Sequence, residues 1–172
     1  RTLSKSKMDA DADITYTGVA GVAQFLAKHS SLNDASIWII GSDPLVANYE
    51  EEVPAIVGYR DEDNIFRTAP NWTQDAPVGY DFVVGVSPNA PTSTTPLLWT
   101  RGLKISGDGA GTWGKDSPWG LGGHIAYLDG HVQFYKELGP EDGQLVDPST
   151  GTMTSNMADI HSSDKILLAP SL

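Results

Sequence analysis

The run GGHIAYLDGHVQFYKEL, residues 122–138, contains the strongest local structural signal in the chain. It places the pair Asp129-Gly130 between two segments in which apolar residues alternate with others. An Asp-Gly pair in this setting is typical of a β-hairpin with a two-residue type I′ turn, because that turn requires positive φ angles at both central residues. We therefore predict two antiparallel strands that turn on Asp129 and Gly130.

A two-residue turn also determines which residues face each other across the hairpin. Tyr127 is then predicted to pair with Val132, and His124 and His131 fall on one face. The core-facing side is predicted to consist of Ile125, Tyr127, Val132 and Phe134. The two histidines would lie roughly 13 Å apart along the strand, too far to share one metal ion. We therefore expect His124, Asp129 and His131 to have structural rather than catalytic roles, with Asp129 bonding to nearby backbone.

Upstream of the hairpin, one helix and several short strands are predicted. Apolar residues recur at spacings of three and four over residues 3–29, which indicates a long helix. Short apolar segments predict strands at 36–40, 80–86 and 97–100. A long helix followed by short strands indicates an α+β domain in which the helix packs on an antiparallel sheet with long irregular loops.

The chain length fits a single domain. We expect it to comprise an N-terminal helix in residues 1–32, the sheet and its loops in 33–138, and a loop-rich C-terminal segment in 139–172.

Composition excludes several classes of function. The chain has 22 acidic and 11 basic residues and a formal net charge of −11, so binding to nucleic acid is disfavoured. It has no cysteine, which excludes disulfides, thiolate catalysis and Cys-ligated zinc. The sequence also lacks the Gly-x-Ser-x-Gly and His-Glu-x-x-His motifs of hydrolases and the Gly-Lys-Ser/Thr ending of a phosphate-binding loop. We therefore predict a protein that is not an enzyme.

Two loops rich in aspartate and glycine are candidate calcium sites. One contains Asp108 and Asp116, and the other contains Asp142 and Asp147. Calcium takes six to eight oxygen ligands, which such loops can supply through carboxylates and backbone carbonyls. Neither loop has the spacing of an EF-hand, so ordinary solvated turns are the competing interpretation. The five tryptophans could likewise line a sugar-binding surface, although large aromatics are more often core anchors.

The run WGLGGHIAYLDGHVQF, which begins at Trp119, resembles the C-terminal signature of prepilin-type, processing-associated proteins. That signature is a His, nine residues, and then Asp-Gly, usually continued by His-Val. The end of the pattern is matched by Asp129, Gly130, His131 and Val132. Trp119 occupies the place of the leading His, so no role of that His is transferred to this chain.

Two further segments agree with the same family, which is similar to the pseudopilins of type II secretion. Residues 95–103, TPLLWTRGL, resemble the segment that precedes the signature in some members. Residues 3–29 occupy the place of the soluble continuation of the family's membrane-spanning N-terminal helix. In such a protein the apolar anchor and the prepilin cleavage site would precede Arg1.

The resemblance implies a pilin-like fold and the soluble head of a structural subunit in a type II secretion or type IV pilus-like filament. The implied partners are other pilin or pseudopilin subunits and the inner membrane, and the implied location is the periplasmic or extracellular face of a bacterial cell envelope. Major pseudopilins often bind calcium, which makes calcium the candidate cofactor. The alternative function is an extracellular calcium- or carbohydrate-binding module.

Overall fold

A computed structural model of the protein describes residues 3–11 and 16–171. Its helices are α1 Lys5–Asp9, α2 Gly18–Ser30, α3 Pro44–Ala47 and α4 Met157–Ile160. Its strands are β1 Gly58–Arg60, β2 Phe66–Thr68, β3 Tyr80–Val83, β4 Pro96–Thr100, β5 Gly123–Tyr127, β6 Val132–Tyr135, β7 Leu145–Val146, β8 Met153–Thr154 and β9 Ile166–Leu167. Five strands form one antiparallel sheet in the order β6-β5-β4-β3-β9, and two pairs, β1-β2 and β7-β8, form small separate sheets.

The predicted pilin-like arrangement, a long N-terminal helix packed on the sheet, is wrong for the described residues. Helix α1 ends at Asp9 and α2 begins at Gly18, while residues 12–15 of the predicted helix lie outside the described residues. Thr17 is extended, and Gly18 has a φ of +57°, a left-handed conformation that cannot continue a right-handed helix. The apolar spacing of three and four is therefore divided between two short helices.

A polar cluster on Asp11 connects the segment after α1 to the end of α2. The Asp11 carboxylate accepts hydrogen bonds from Lys28 Nζ at 2.6 Å and from Tyr16 Oη at 2.7 Å, and His29 Nε2 lies 2.9 Å from it. Burial opposes ionisation of Asp11, but the bonds to Lys28, His29 and Tyr16 outweigh it and hold its pKa well below the usual range. These contacts hold the two helices together at the polar surface of the domain.

The hairpin forms at the predicted place, but its predicted register is wrong by one residue. Tyr127 lies opposite His131, since its N–H donates to the His131 carbonyl at 3.0 Å, and Ala126 pairs with Val132. Gly130 has a φ of +90°, whereas Asp129 is not among the described residues with positive φ. The connection is thus a three-residue loop that ends in a left-handed glycine, the alternative that Asp-Gly also favours.

This shift of one residue moves every β6 side chain to the opposite face of the sheet. Val132 and Phe134, predicted to lie in the core, are 59% and 48% exposed, while Tyr135 is 4% exposed. Tyr135 instead packs in the core, where its hydroxyl lies 2.6 Å from that of Tyr127. The edge strand of the sheet therefore presents two large apolar side chains to solvent.

The sheet has two faces of different character. Residues paired across neighbouring strands define the closed face, whose side chains are Asp81, Val83, Trp99, Ile125, Tyr127 and Tyr135. The intervening residues define the open face, whose side chains are Tyr80, Phe82, Leu98, His124, Ala126, Val132 and Phe134. The closed face is covered by a buried cluster that includes Leu145 and Met157.

The C-terminal segment is more ordered than predicted. It supplies β7 and α4, whose Leu145 and Met157 cover the closed face, β8, which pairs with β7, and β9, which pairs with β3 at the edge of the main sheet. The predicted strands at 80–86 and 97–100 are confirmed as the shorter β3 and as β4. The predicted strand at 36–40 is wrong, because Ala35–Ile37 form a 3₁₀ turn in which the Asp34 carboxylate accepts the Ser36 N–H at 2.8 Å.

Candidate functional site

A large apolar groove lies along the open face of the sheet. Its volume is about 1220 Å³. The floor comes from β3, β4 and β5, and one wall comes from the end of α2 and the segment that follows it. The main lining residues are Leu26, Leu32, Ile37, Trp38, Ile40, Tyr80, Phe82, Val86, Leu97, Leu98, Trp119, His124, Ala126, Leu128 and Val132. No Asp, Glu, Lys or Arg belongs to the described lining, so the groove suits an uncharged, apolar occupant.

Aromatic contacts organise the end of the groove next to β6. His124 lies between Trp119 and Phe134, with ring centroids 5.6 Å and 5.1 Å away and edge-to-face geometry. Trp119 is 46% exposed and comes from the loop before β5. The backbone N–H of His124 donates to the Thr100 hydroxyl at 3.0 Å, which links β5 to β4 beneath the ring. This end of the groove is a half-open aromatic surface of the kind found at contact sites.

A few polar groups accompany the apolar lining. Burial raises the pKa of the Tyr80 hydroxyl, which therefore stays neutral at physiological pH. Trp38 is buried in the wall, and its Nε1 has no hydrogen-bond partner among the described residues. The groove can form hydrogen bonds to an occupant through Tyr80, Thr100, His124 and Trp38. None of these side chains is a carboxylate, a lysine or an arginine.

The predicted signature residues lie at two separate places. Trp119 and Val132 both line the groove, as does His124, whose ring contacts Trp119. Asp129, Gly130 and His131 form the tip of the hairpin instead. One part of the signature therefore lies in the groove and the other part in the turn. The predicted register placed Val132 in the core, so it did not predict this division.

The tip of the hairpin is held by Asp129, whose predicted turn role is confirmed. Its carboxylate accepts the backbone N–H of His131 at 3.0 Å and lies 2.6 Å from His131 Nδ1. These two contacts lower the pKa of Asp129. The His131 ring stacks on Tyr127 at a centroid distance of 4.2 Å. His124 and His131 were predicted to share a face, which is wrong, because His131 packs on a closed-face residue and His124 lines the groove.

The candidate calcium loops show no assembled ligand set. In the part of the chain that the structure describes, no group of three His, Asp or Glu side chains is positioned to hold a metal ion. The Asp147 carboxylate instead accepts bonds from Ser149 N at 2.8 Å, from Ser149 Oγ at 2.7 Å and from Thr150 Oγ1 at 2.7 Å. These bonds lower the pKa of Asp147 to about 2. Asp108, Asp116 and Asp142 are exposed, and calcium binding by either loop stays a prediction.

The tryptophans are mainly core anchors. Trp38, Trp72, Trp99 and Trp113 are each at most 6% exposed. Trp72 Nε1 donates to the Ala20 carbonyl at 3.2 Å, and Trp113 Nε1 donates to the Thr100 carbonyl at 2.9 Å. Trp119 alone among the five is exposed, and it belongs to the groove.

Sequence reasoning missed a buried ion pair beside the sheet. Arg101 Nε donates to Asp43 Oδ2 at 2.7 Å, Arg101 Nη2 donates to Asp43 Oδ1, and the two side chains are 4% and 0% exposed. Arg101 Nη2 also donates to the Asp116 carbonyl at 2.7 Å, and Asp43 accepts the Leu45 N–H at the start of α3. The partners lie 58 residues apart, and no sequence pattern connects them.

A second buried carboxylate, Asp81, lies on the closed face. Its side chain accepts the Ala169 N–H at 2.8 Å, which ties the C-terminal segment to β3. Burial raises the pKa of Asp81 to about 7, although the hydrogen bond from Ala169 and the nearby Arg101 charge act in the opposite direction. Asp81 has no access to the groove, so we assign it a structural role.

Comparisons of the chain with protein-family models, with curated proteins and with solved structures find no match. Within residues 3–11 and 16–171, no helix combines the length and the apolar character that crossing a membrane would need. The groove and the hairpin signature are therefore the two features from which a function can be argued.

Proposed function

We propose that the chain is a structural subunit of a type II secretion or type IV pilus-like filament in a bacterial cell envelope, and that the open-face groove is its assembly surface. The occupant of the groove is an apolar helix from another pilin or pseudopilin subunit. In this role the chain has no catalytic site, and its partners are proteins of its own kind.

One observation supports this proposal above the others. Trp119 and Val132, two positions of the run that resembles the prepilin-type signature, lie in the wall of the groove. Phe134, two residues further along β6, contacts His124 at the same end. Val132 matches the signature and Trp119 stands where the signature has its leading His, so the segment of the resemblance contributes side chains to the apolar surface.

The physical character of the groove supports a helix as the occupant. Phe82, Leu98, Ala126 and Val132 form one continuous apolar row across four strands of the open face. Phe82 is only 7% exposed, because it belongs to the buried cluster that contains α2 side chains, whereas Val132 at the other end of the row is 59% exposed. An exposed side of an antiparallel sheet usually alternates to polar residues, which this end does not. A contiguous apolar surface of this size marks an interaction site. An apolar helix can satisfy all its own backbone hydrogen bonds, so it can enter an uncharged groove without leaving polar groups unpaired.

The charge distribution is consistent with a subunit that contacts its partners through one side only. The net charge of −11 resides outside the groove, because the lining contains no acidic residue. Repulsion between like charges disfavours contact through the acidic surfaces. The apolar surface is therefore left as the preferred place of contact.

Cross-linking in the producing bacterium tests the proposal. Residues 1–172 contain no cysteine, so a single substitution supplies the one thiol of this segment. In the full-length gene product, Ala126→Cys places a thiol in the groove. Met153→Cys is the matched control, because Met153 is 57% exposed on β8 and does not line the groove. Both variants are treated with a thiol-directed photo-cross-linker in the cell envelope.

We expect Ala126→Cys to be joined to another pilin-like subunit and Met153→Cys to give a much weaker product. Mass spectrometry of the cross-linked peptide should find an apolar helical segment of the partner. Equal yields from the two positions, or a product with an unrelated envelope protein alone, would contradict the proposal.

A further inference from the structure

The outer edge of β6 is unprotected. β6 is the last strand of the main sheet on its side, and its four residues, Val-Gln-Phe-Tyr, include no charge and no proline. In natural sheets a lysine, a proline or a bulge usually prevents pairing at such an edge, because unpaired N–H and C=O groups would otherwise hydrogen-bond to another strand. Lys136 follows only after the strand has ended.

The hydrogen-bond pattern shows which backbone groups are available. Tyr127 and His131 form a hydrogen-bonded pair, so the alternate pairs Ile125-Gln133 and Gly123-Tyr135 also bond across the hairpin. The N–H and C=O groups of Val132 and Phe134 therefore point away from β5. No other described segment hydrogen-bonds to these two residues.

We propose that β6 pairs in antiparallel fashion with β6 of a second copy of this chain, so that two main sheets join into one continuous sheet around a two-fold axis. This dimer does not depend on the filament function proposed above. The side chain of Phe134, 48% exposed in the single chain, meets its equivalent on the open face, and that of Val132, 59% exposed, lies opposite Lys136 of the second copy.

Local charge favours a second copy as the partner. Although the whole chain is strongly acidic, residues 130–136 contain no Asp or Glu and include His131 and Lys136. The strand itself therefore brings no acidic side chain to the contact between two copies. An isologous contact of this kind closes on itself and gives a dimer rather than an open fibre.

Charge favours one register among those that the available groups allow. Pairing Phe134 with Phe134 of the second copy uses the outward N–H and C=O groups of both residues. It places His131 opposite Glu137 of the second copy, which is a favourable pair. A shift that centres the pairing on Gln133 would place Asp129 opposite Glu137, two like charges.

Sedimentation equilibrium of the chain, together with two edge variants, tests the inference. Phe134→Pro removes the outward N–H but leaves the bonds to β5 intact, since proline is tolerated on an edge strand whose N–H faces solvent. Val132→Lys places a charge on the edge strand, which disfavours pairing with another strand. It is the variant to test if Phe134→Pro does not fold. We expect the unmodified chain to dimerise and both folded variants to be monomeric.

A single-cysteine variant tests the register. In Phe134→Cys the two Cα atoms would lie about 5.5 Å apart in the dimer, within the range that a disulfide spans. We expect a disulfide-linked dimer to form at least about tenfold faster than with Met153→Cys, because pairing raises the local thiol concentration. A chain that stays monomeric up to about 1 mM, dimers that survive the edge variants, or equal disulfide rates would each overturn the inference.

Discussion

The closed and open faces of the main sheet are built from the same strands, but the closed face is covered along β3, β4 and β5, while the open face is covered only near β3, where Phe82 is 7% exposed. Trp99 and Ile125 on the closed face are each 0% exposed beneath side chains from the C-terminal segment. On the open face, Val132 and Phe134 are about half exposed, although they are equally apolar. The closed face even contains a carboxylate, Asp81, whereas the groove on the open face contains none.

The difference teaches that apolar content alone does not show which side of a sheet is the core. Burial of Asp81 is tolerated because the Ala169 N–H bonds to it. Exposure of the open face costs free energy that an occupant would recover, at about 25 cal/mol per Å² of apolar surface removed from water. The uncovered β5–β6 end of the apolar open face is therefore the feature of this fold that is best explained by association.

The largest effect should come from the adjacent β4 residues Trp99 and Leu98, which belong to opposite faces. Trp99→Ala empties a fully buried site and should lower the free energy of unfolding by about 3–5 kcal/mol. Leu98→Ala, in the half-buried groove floor, should lower it by only about 1 kcal/mol. Urea denaturation of both variants checks the contrast, and equal losses would show that the open face is covered within the chain itself.

The ion pair of Arg101 with Asp43 should give the next largest effect. Arg101→Met leaves the Asp43 carboxylate buried without its partner, so the free energy of unfolding should fall by about 3 kcal/mol. Asp43→Asn combined with Arg101→Met removes both charges and should recover part of that loss, which a double-mutant cycle measures. A double variant less stable than Arg101→Met would argue against a penalty from unpaired charge.

Asp81 should make the closed face sensitive to pH. Its pKa rises from an ordinary 3.8 to about 7 on folding, so the folded chain retains the proton over a range in which the unfolded chain has released it. The stabilisation from protonated Asp81 is thus fully present below about pH 4 and is lost as the pH rises through 7.

Asp81→Asn should remove this dependence. Its amide oxygen can still accept the Ala169 N–H, and the free energy of unfolding at pH 8 should rise by about 2 kcal/mol. Urea denaturation at pH 4 to 8 measures the slope for both chains. An unchanged slope in the variant would mean that Asp81 is ionised in the fold throughout this range.

The smallest effect on stability is expected on the exposed edge of the open face. Phe134→Ser should lower the free energy of unfolding of the single chain by less than about 1 kcal/mol, because the side chain is half exposed. The same change should weaken association through β6 at least about tenfold. A loss of stability comparable with that of Trp99→Ala would instead assign Phe134 to the core.

The sequence predicted the location of the hairpin and of β4, because alternating apolar residues and Asp-Gly are local signals. It did not predict the register, since Asp-Gly also fits a three-residue loop in which only Gly130 needs a positive φ angle. Because the register differs by one residue from the predicted one, the side chains of Val132 and Phe134 face solvent rather than the core.

Other features depend on contacts that no local pattern contains. The N-terminal apolar spacing predicted one helix, but the left-handed φ of Gly18 and the extended Thr17 separate α1 from α2. The Asp43–Arg101 pair joins segments far apart in the chain. The groove could not be predicted either, because apolar residues occupy both faces of the strands, and only the tertiary packing of the α2 region and of the C-terminal segment shows how much of each face is covered.

Thiol labelling of Ala126→Cys tests the central claim, that the open face is an association surface, most directly. The labelling rate is measured in the isolated chain and in filaments or envelope fractions from cells that make the full-length protein. We predict that the thiol reacts readily in the isolated chain and is protected at least about tenfold in the assembled protein, while Met153→Cys reacts alike in both. Equal reactivity of the Ala126→Cys thiol in the two states would contradict the claim.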